Sequence, residues 1–227
     1  MDLLDFARGP ALGISLTVCV LGTLWRLFHL LRLPAMTDLS PPRNGAPSKT
    51  NAALGAIARG FWPRPEFGAA ARVTTVNGIV MHVGLALIAF GYAPHIAFIH
   101  RLTGIGWPAL PDAVMYLASG ATMISMLLAL WTRLTDPVRR LISNADDYLS
   151  WWLVFLPVIT GMAVMTGPSE TLLARESLLY RTPLAVHLLT LELLLIWFPF
   201  GKLMHAVLFA FSRGATGIRF SHRGVRI

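Results

Sequence analysis

The chain has 227 residues, 55% of them apolar and 13% charged, with a mean hydropathy of +0.62 and a net charge of +8. Soluble domains carry roughly 25% charge, so a water-covered globule is excluded, and so is a disordered or low-complexity chain. The basic residues flank apolar runs and do not cluster with aromatics, which argues against nucleic acid as a partner. A single cysteine, Cys19, rules out an internal disulfide, a thiolate zinc site or an iron–sulfur cluster within this chain.

Five stretches reach the roughly 20 apolar residues that a bilayer crossing needs. In chain order they run from about 10 to 31, 78 to 99, 114 to 134, 148 to 167 and 183 to 211. None alternates with period two, so a lipid-facing barrel is not expected. Asp2 and Asp5 precede the first stretch with only Arg8 basic, unlike the positive start of a cleavable signal, so that stretch is read as retained. Residues 34–77 form a long connection rich in Pro, Gly and Ala. Its patch "IARGFWPRPEF" reads first as an interfacial anchor with Trp62 at headgroup depth, and second, compatibly, as a docking surface for a cytoplasmic partner.

Lys and Arg divide unevenly between the two sides. Thirteen fall in the 34–77 connection and its flanks, around 133–140 and in the C-terminal tail, against four (Arg8, Arg101, Arg175, Arg181) on the opposite side. The positive-inside rule then puts the N-terminus outside and the C-terminus in the cytoplasm. The expected fold is an all-α integral membrane protein, a single membrane domain over 1–227 with five transmembrane helices and a cytoplasmic loop at 34–77. The outer loops, 100–113 and 168–182, are too short for an active site outside the membrane.

Ionisable groups inside a span are costly and usually functional, and here the histidines are the informative ones. His82 and His95 sit near the inner and outer ends of the second stretch, and His187 and His205 near the outer and inner ends of the fifth. His187 and His205 are 18 residues apart, five helical turns or about 27 Å, so both would face one way on a straight helix. Two helices with one imidazole at each level can hold two stacked bis-histidine haems b: an inner one on His82 and His205, an outer one on His95 and His187. No CxxCH occurs, so covalent attachment is excluded. The 13-residue step from His82 to His95 corresponds to about 220° and does not put both rings on one face. Pro94 can kink the chain there, and His100, at 18 residues from His82, is the alternative outer ligand. His29 with Arg26, and Lys202, are candidate contacts to haem propionates, while His222 in the tail reads as solvated. Glu192 lies alone in an apolar run as a proton relay or a bond to a neighbouring helix. Tyr92, His100, Arg101, Asp112, Glu176 and Arg181 are candidate lining groups of a quinone site near the outer pair.

The segment "HLLTLELLLIWFPFGKLMH" at 187–205 and the stretch "MHVGLALIAFG" from Met81 resemble the gamma-subunit family of respiratory nitrate reductases. That family comprises five-span dihaem b cytochromes and takes in the membrane cytochromes of sulfite-reduction-associated and heterodisulfide-reductase-like complexes. In the nitrate reductase version the second ligand of this span follows the first by ten residues; here Tyr92 holds that position and the histidine is shifted to His95. The resemblance implies the electron-transfer subunit of a respiratory oxidoreductase complex in the bacterial cytoplasmic membrane. It would oxidise quinol or reduce quinone near the outer haem and exchange electrons with a cytoplasmic iron–sulfur partner, with the terminal chemistry in partner subunits. The competing reading is a haem-free membrane scaffold or small transporter, although the repeats and broken midplane helices usual in transporters are not visible in the sequence.

Overall fold

The computed structural model describes residues 2–34, 38–62, 68–165 and 178–225, which contain helices and no strand. Arg64, Arg175, Glu176, Arg226 and the end of the fourth apolar stretch lie outside the described residues. The helices are α1 (Leu3–Arg32), α2 (Lys49–Arg59), α3 (Gly68–Gly91), α4 (Ala93–Thr103), α5 (Asp112–Thr135), α6 (Pro137–Ile142), α7 (Ala145–Met165), α8 (Leu178–Trp197) and α9 (His205–Arg223). Helices α1, α3, α5 and α7 are long and apolar enough to cross a membrane, and α8 with α9 makes a fifth if the bent pair counts as one crossing.

These helices pack in a row. α1 lies on α8, α8 on α7, α7 on α5 and α5 on α3, while α3 and α8 make no comparable contact among the described residues. Small residues bring α3 and α5 close, as is usual between apolar helices. A Cβ on Gly84 would overlap Thr122 Oγ1. Asn77 donates to the Ser125 carbonyl at 3.0 Å, and the Ser125 hydroxyl lies 2.7 Å from the Asn77 carbonyl. Met126, Phe155 and Val158 form the apolar core between α5 and α7.

Two expected spans are divided. The second was expected over 78–99, but α3 begins ten residues earlier and ends at Gly91; Tyr92 takes an extended conformation and α4 starts with Pro94 in its first turn. Proline is tolerated there because a first-turn amide has no helical partner. The carbonyls left open at the end of α3 are taken by the loop, Phe90 by the Trp107 indole at 2.6 Å and Gly91 by the Leu110 amide at 2.9 Å. The fifth span was expected to be one straight helix over 183–211. Instead the chain turns at Phe198–Gly201, and the helices on either side meet at 78°. Pro199 cannot continue a helix and is fully buried against Gly22 of α1, where a Cβ would lie 2.7 Å from the Pro199 ring. The hydropathy of 205–211 continues beyond the break, but α9 as a whole is amphipathic and carries three arginines, Arg213, Arg219 and Arg223.

α9 packs on α2 through Gly217, whose added Cβ would overlap Ala56. Phe61 packs on Phe209 with ring centroids 5.1 Å apart, and Trp62 is exposed. Asp38 pairs with Arg223 at 2.7 Å, and Arg223 with Ser40 holds its carboxyl below the usual carboxylate range. His222, expected to be solvated, has Nε2 2.8 Å from the Ser40 carbonyl. Thr74 with Arg139, Asp147 with Arg133 and Lys202, and Asp38 with Arg223 gather the basic segments at one end of the bundle. Asp2 and Asp5 with Arg181 mark the other.

Candidate functional site

Four imidazoles form two pairs. The rings of His82 on α3 and His205 at the start of α9 have centroids 6.1 Å apart with planes at 86°. The rings of His95 on α4 and His187 on α8 are 6.2 Å apart with planes at 13°. Two imidazoles on opposite sides of one metal ion stand about 6 Å apart, from about 2 Å per metal–nitrogen bond and about 1 Å from each nitrogen to its ring centre. Both pairs have that spacing. Among the described residues no group of three or more His, Cys, Asp or Glu gathers as a metal cage.

A hydrogen bond from Nδ1 orients each of the four rings. Nδ1 of His82 lies 2.7 Å from the Gly78 carbonyl, Nδ1 of His95 2.8 Å from that of Ile88 and Nδ1 of His205 2.9 Å from that of Lys202. A carbonyl only accepts, so each Nδ1 is the protonated nitrogen and each Nε2 keeps its lone pair. His187 reaches the same state through a hydroxyl: Thr160 gives its one hydrogen to the Leu156 carbonyl at 2.7 Å and is left to accept from His187 Nδ1 at 3.2 Å. Gly161 makes room, since its Cβ would come within 3.0 Å of the His187 ring. Such outer contacts fix tautomer and ring direction in metal-binding histidines.

The two helix breaks create this arrangement. The break at Tyr92 comes ten residues after His82, and α8 runs ten residues from His187 to its last residue, Trp197. Each histidine is thus about 15 Å of helix rise from a break, and its fellow on the same segment lies beyond it. The 220° mismatch between His82 and His95 disappears because they are on different helices. The five-turn alignment of His187 with His205 is likewise replaced by a corner.

That corner is tied by two acidic residues the sequence reading did not single out. Asp146 accepts from the Trp197 indole at 3.1 Å, the Lys202 amide at 2.9 Å and the Ser150 hydroxyl at 3.0 Å. Asp147 pairs with Arg133 at 3.0 Å and with Lys202. A Cβ on Gly201 would overlap the Trp197 indole nitrogen and lie 2.8 Å from Asp146 Oδ1. An acidic pair in the first turn of a helix was the only signal in the sequence, and its partners are 51 and 55 residues away.

The other candidates divide. Arg26 and Lys202 line an open cleft of about 610 Å³ beside His205, together with Arg213, although Arg26 also donates to the Pro199 carbonyl at 2.9 Å. His29 is exposed and packs edge-on against Trp25 of its own helix. Tyr92 lies against His95, with ring centroids 5.2 Å apart. His100 is not brought to His187; it lines a separate cleft with Trp107. Arg181 is engaged by Asp2 and Asp5. Arg101 is exposed near the end of α4 and Asp112 sits in the first turn of α5. Glu192 is 3% exposed, and neither carboxyl oxygen has a hydrogen-bond partner. It lies five residues after His187, about 140° around α8 from that ring.

No family model matches the chain, and no solved structure matches it. The chain is 26% identical over 224 residues to a protein of Nitratidesulfovibrio vulgaris (Hildenborough), covering 95% of this chain and 92% of the relative, whose name, "Protein", states no function.

Proposed function

We propose that this chain is a dihaem cytochrome b subunit of a membrane oxidoreductase complex. The carrying observation is the two imidazole pairs with centroids 6.1 and 6.2 Å apart, each ring with Nε2 left for a metal. Haem bound at each pair would supply one-electron carriage. The open side of the helix row, between α3 and α8, supports the reading, because a flat macrocycle needs space between the segments that ligate it. His82 and His205 would hold the haem near the basic end, with Arg26, Lys202 and Arg213 as cations for its carboxylates. His95 and His187 would hold the other.

The gathering of basic segments at one end supports a cytoplasmic placement of that end and a multi-pass location in the bacterial cytoplasmic membrane. A quinone would react near His95 and Tyr92, and an iron–sulfur partner would dock at the basic end. The chain would then be the quinol-oxidising or quinone-reducing part of a respiratory complex. The test is reduction of the purified protein by a short-chain quinol. A b-type alpha band should develop in the wild type and be lost in His187→Ala. A chain that stays oxidised with quinol while dithionite reduces it would refute the quinone assignment.

A further inference from the structure

Glu192 is buried, without a hydrogen-bond partner, in α8, the first half of the bent pair that makes the fifth apolar crossing, and it faces away from the imidazoles. Its place is fixed by register. α1 and α8 run in the same direction, since Asp2 meets Arg181 at one end and Gly22 meets Pro199 at the other. Glu192 is seven residues before Pro199 and Ser15 seven before Gly22, so the two stand at one depth. Among the described residues, Ala185 and Glu192 are the buried positions of α8, and Pro199 in the turn beyond it continues the same seven-residue steps. On α1, Ser15 is fully buried.

The seam differs on either side of that depth. Toward the Asp2–Arg181 end it is closed by apolar residues: Leu4 and Ala7 on α1 and Ala185 on α8, each at most 2% exposed. Toward the basic end α1 presents Ser15, Cys19 and Thr23 at four-residue steps, about 6 Å of rise apiece, and then Arg26 at the mouth of the cleft beside His205. Thr23 Oγ1 is buried and makes no hydrogen bond. Among the described residues, the only buried side-chain polar atoms without a partner are this hydroxyl and the two oxygens of Glu192.

An unpaired carboxylate at this depth is strongly disfavoured against the neutral acid. The ionisable groups around it are few: Cys19 on α1, with Arg26 and the Asp2, Asp5 and Arg181 cluster at the two ends, and His187 on the far face of α8. α7 has no titratable residue between Trp151 and Met165. We infer that Glu192 is a proton-binding site in the α1–α8 seam that exchanges its proton with the basic end of the bundle along Ser15, Cys19 and Thr23. Release breaks the Glu192 O–H bond; the proton passes along the hydroxyl and thiol ladder to water in the cleft, and uptake reverses this. The site needs no haem, so it stands apart from the preceding proposal.

Infrared spectroscopy of the purified full chain in lipid tests it, with no redox change required. A protonated-carboxyl band should be present, shift on transfer to D2O, and vanish in Glu192→Gln. Glu192→Asp should move the band and keep it. Thr23→Val should slow the exchange several-fold. A band unchanged in Glu192→Gln, a band that never exchanges, or an exchange rate indifferent to Thr23→Val would each overturn the inference.

Discussion

Replacing His82 and His205 together with Ala should leave one haem per chain, and replacing His82 with His187 should leave none. The geometry gives this result its form. Each ring has a single partner at about 6 Å, so removing both members of one pair abolishes one site and leaves the other intact. Taking one ring from each pair damages both sites, because haem held by one imidazole is readily lost. Haem content by extraction as the pyridine complex measures the outcome. Equal losses in the two double variants would show that the pairing is wrong.

The second large effect concerns a residue that touches no imidazole. Gly201→Val should displace His205 and remove the haem of the His82–His205 pair, while the His95–His187 site keeps its own. A side chain at 201 overlaps the Trp197 indole and crowds Asp146, so the corner that swings the chain through 78° cannot close as it does. Overpacking of this kind typically costs 1–3 kcal/mol, and it falls on the turn that delivers the ligand. Asp146→Ala acts from the other side by removing the acceptor for Trp197, Lys202 and Ser150. In both variants the expected readout is about one haem per chain and an unchanged helical signal in circular dichroism. Two haems in Gly201→Val would mean that the corner does not position His205.

The number and order of the apolar helices were legible because hydropathy over some 20 residues is a strong signal. The histidines that meet were legible by depth, since 82 with 205 and 95 with 187 follow from counting residues from the ends of each stretch. The breaks were not legible. Through 198–211 the sequence stays apolar on both sides of Pro199, and a window average does not register a corner in a run of Phe, Leu and Val. Before His95, Pro94 marked a kink, but not that α4 would become a separate helix and carry His95 past the misfit of 220°. Asp146 was invisible for another reason: its partners come from a segment 51 residues on, and such contacts are set by tertiary packing. Glu192 was conspicuous as a lone acid, but only the register of α1 against α8 shows that it faces the seam and not His187.

The most direct test of the central claim is electron paramagnetic resonance of the oxidised protein, combined with its haem content. Parallel imidazole planes split the two iron d orbitals that overlap their π systems, and crossed planes leave those orbitals nearly equal. The pair at 13° and the pair at 86° therefore predict two haems per chain with two low-spin signals, one rhombic and one strongly axial. A purified chain with no haem, or with high-spin iron alone, would contradict the account and favour a haem-free membrane scaffold.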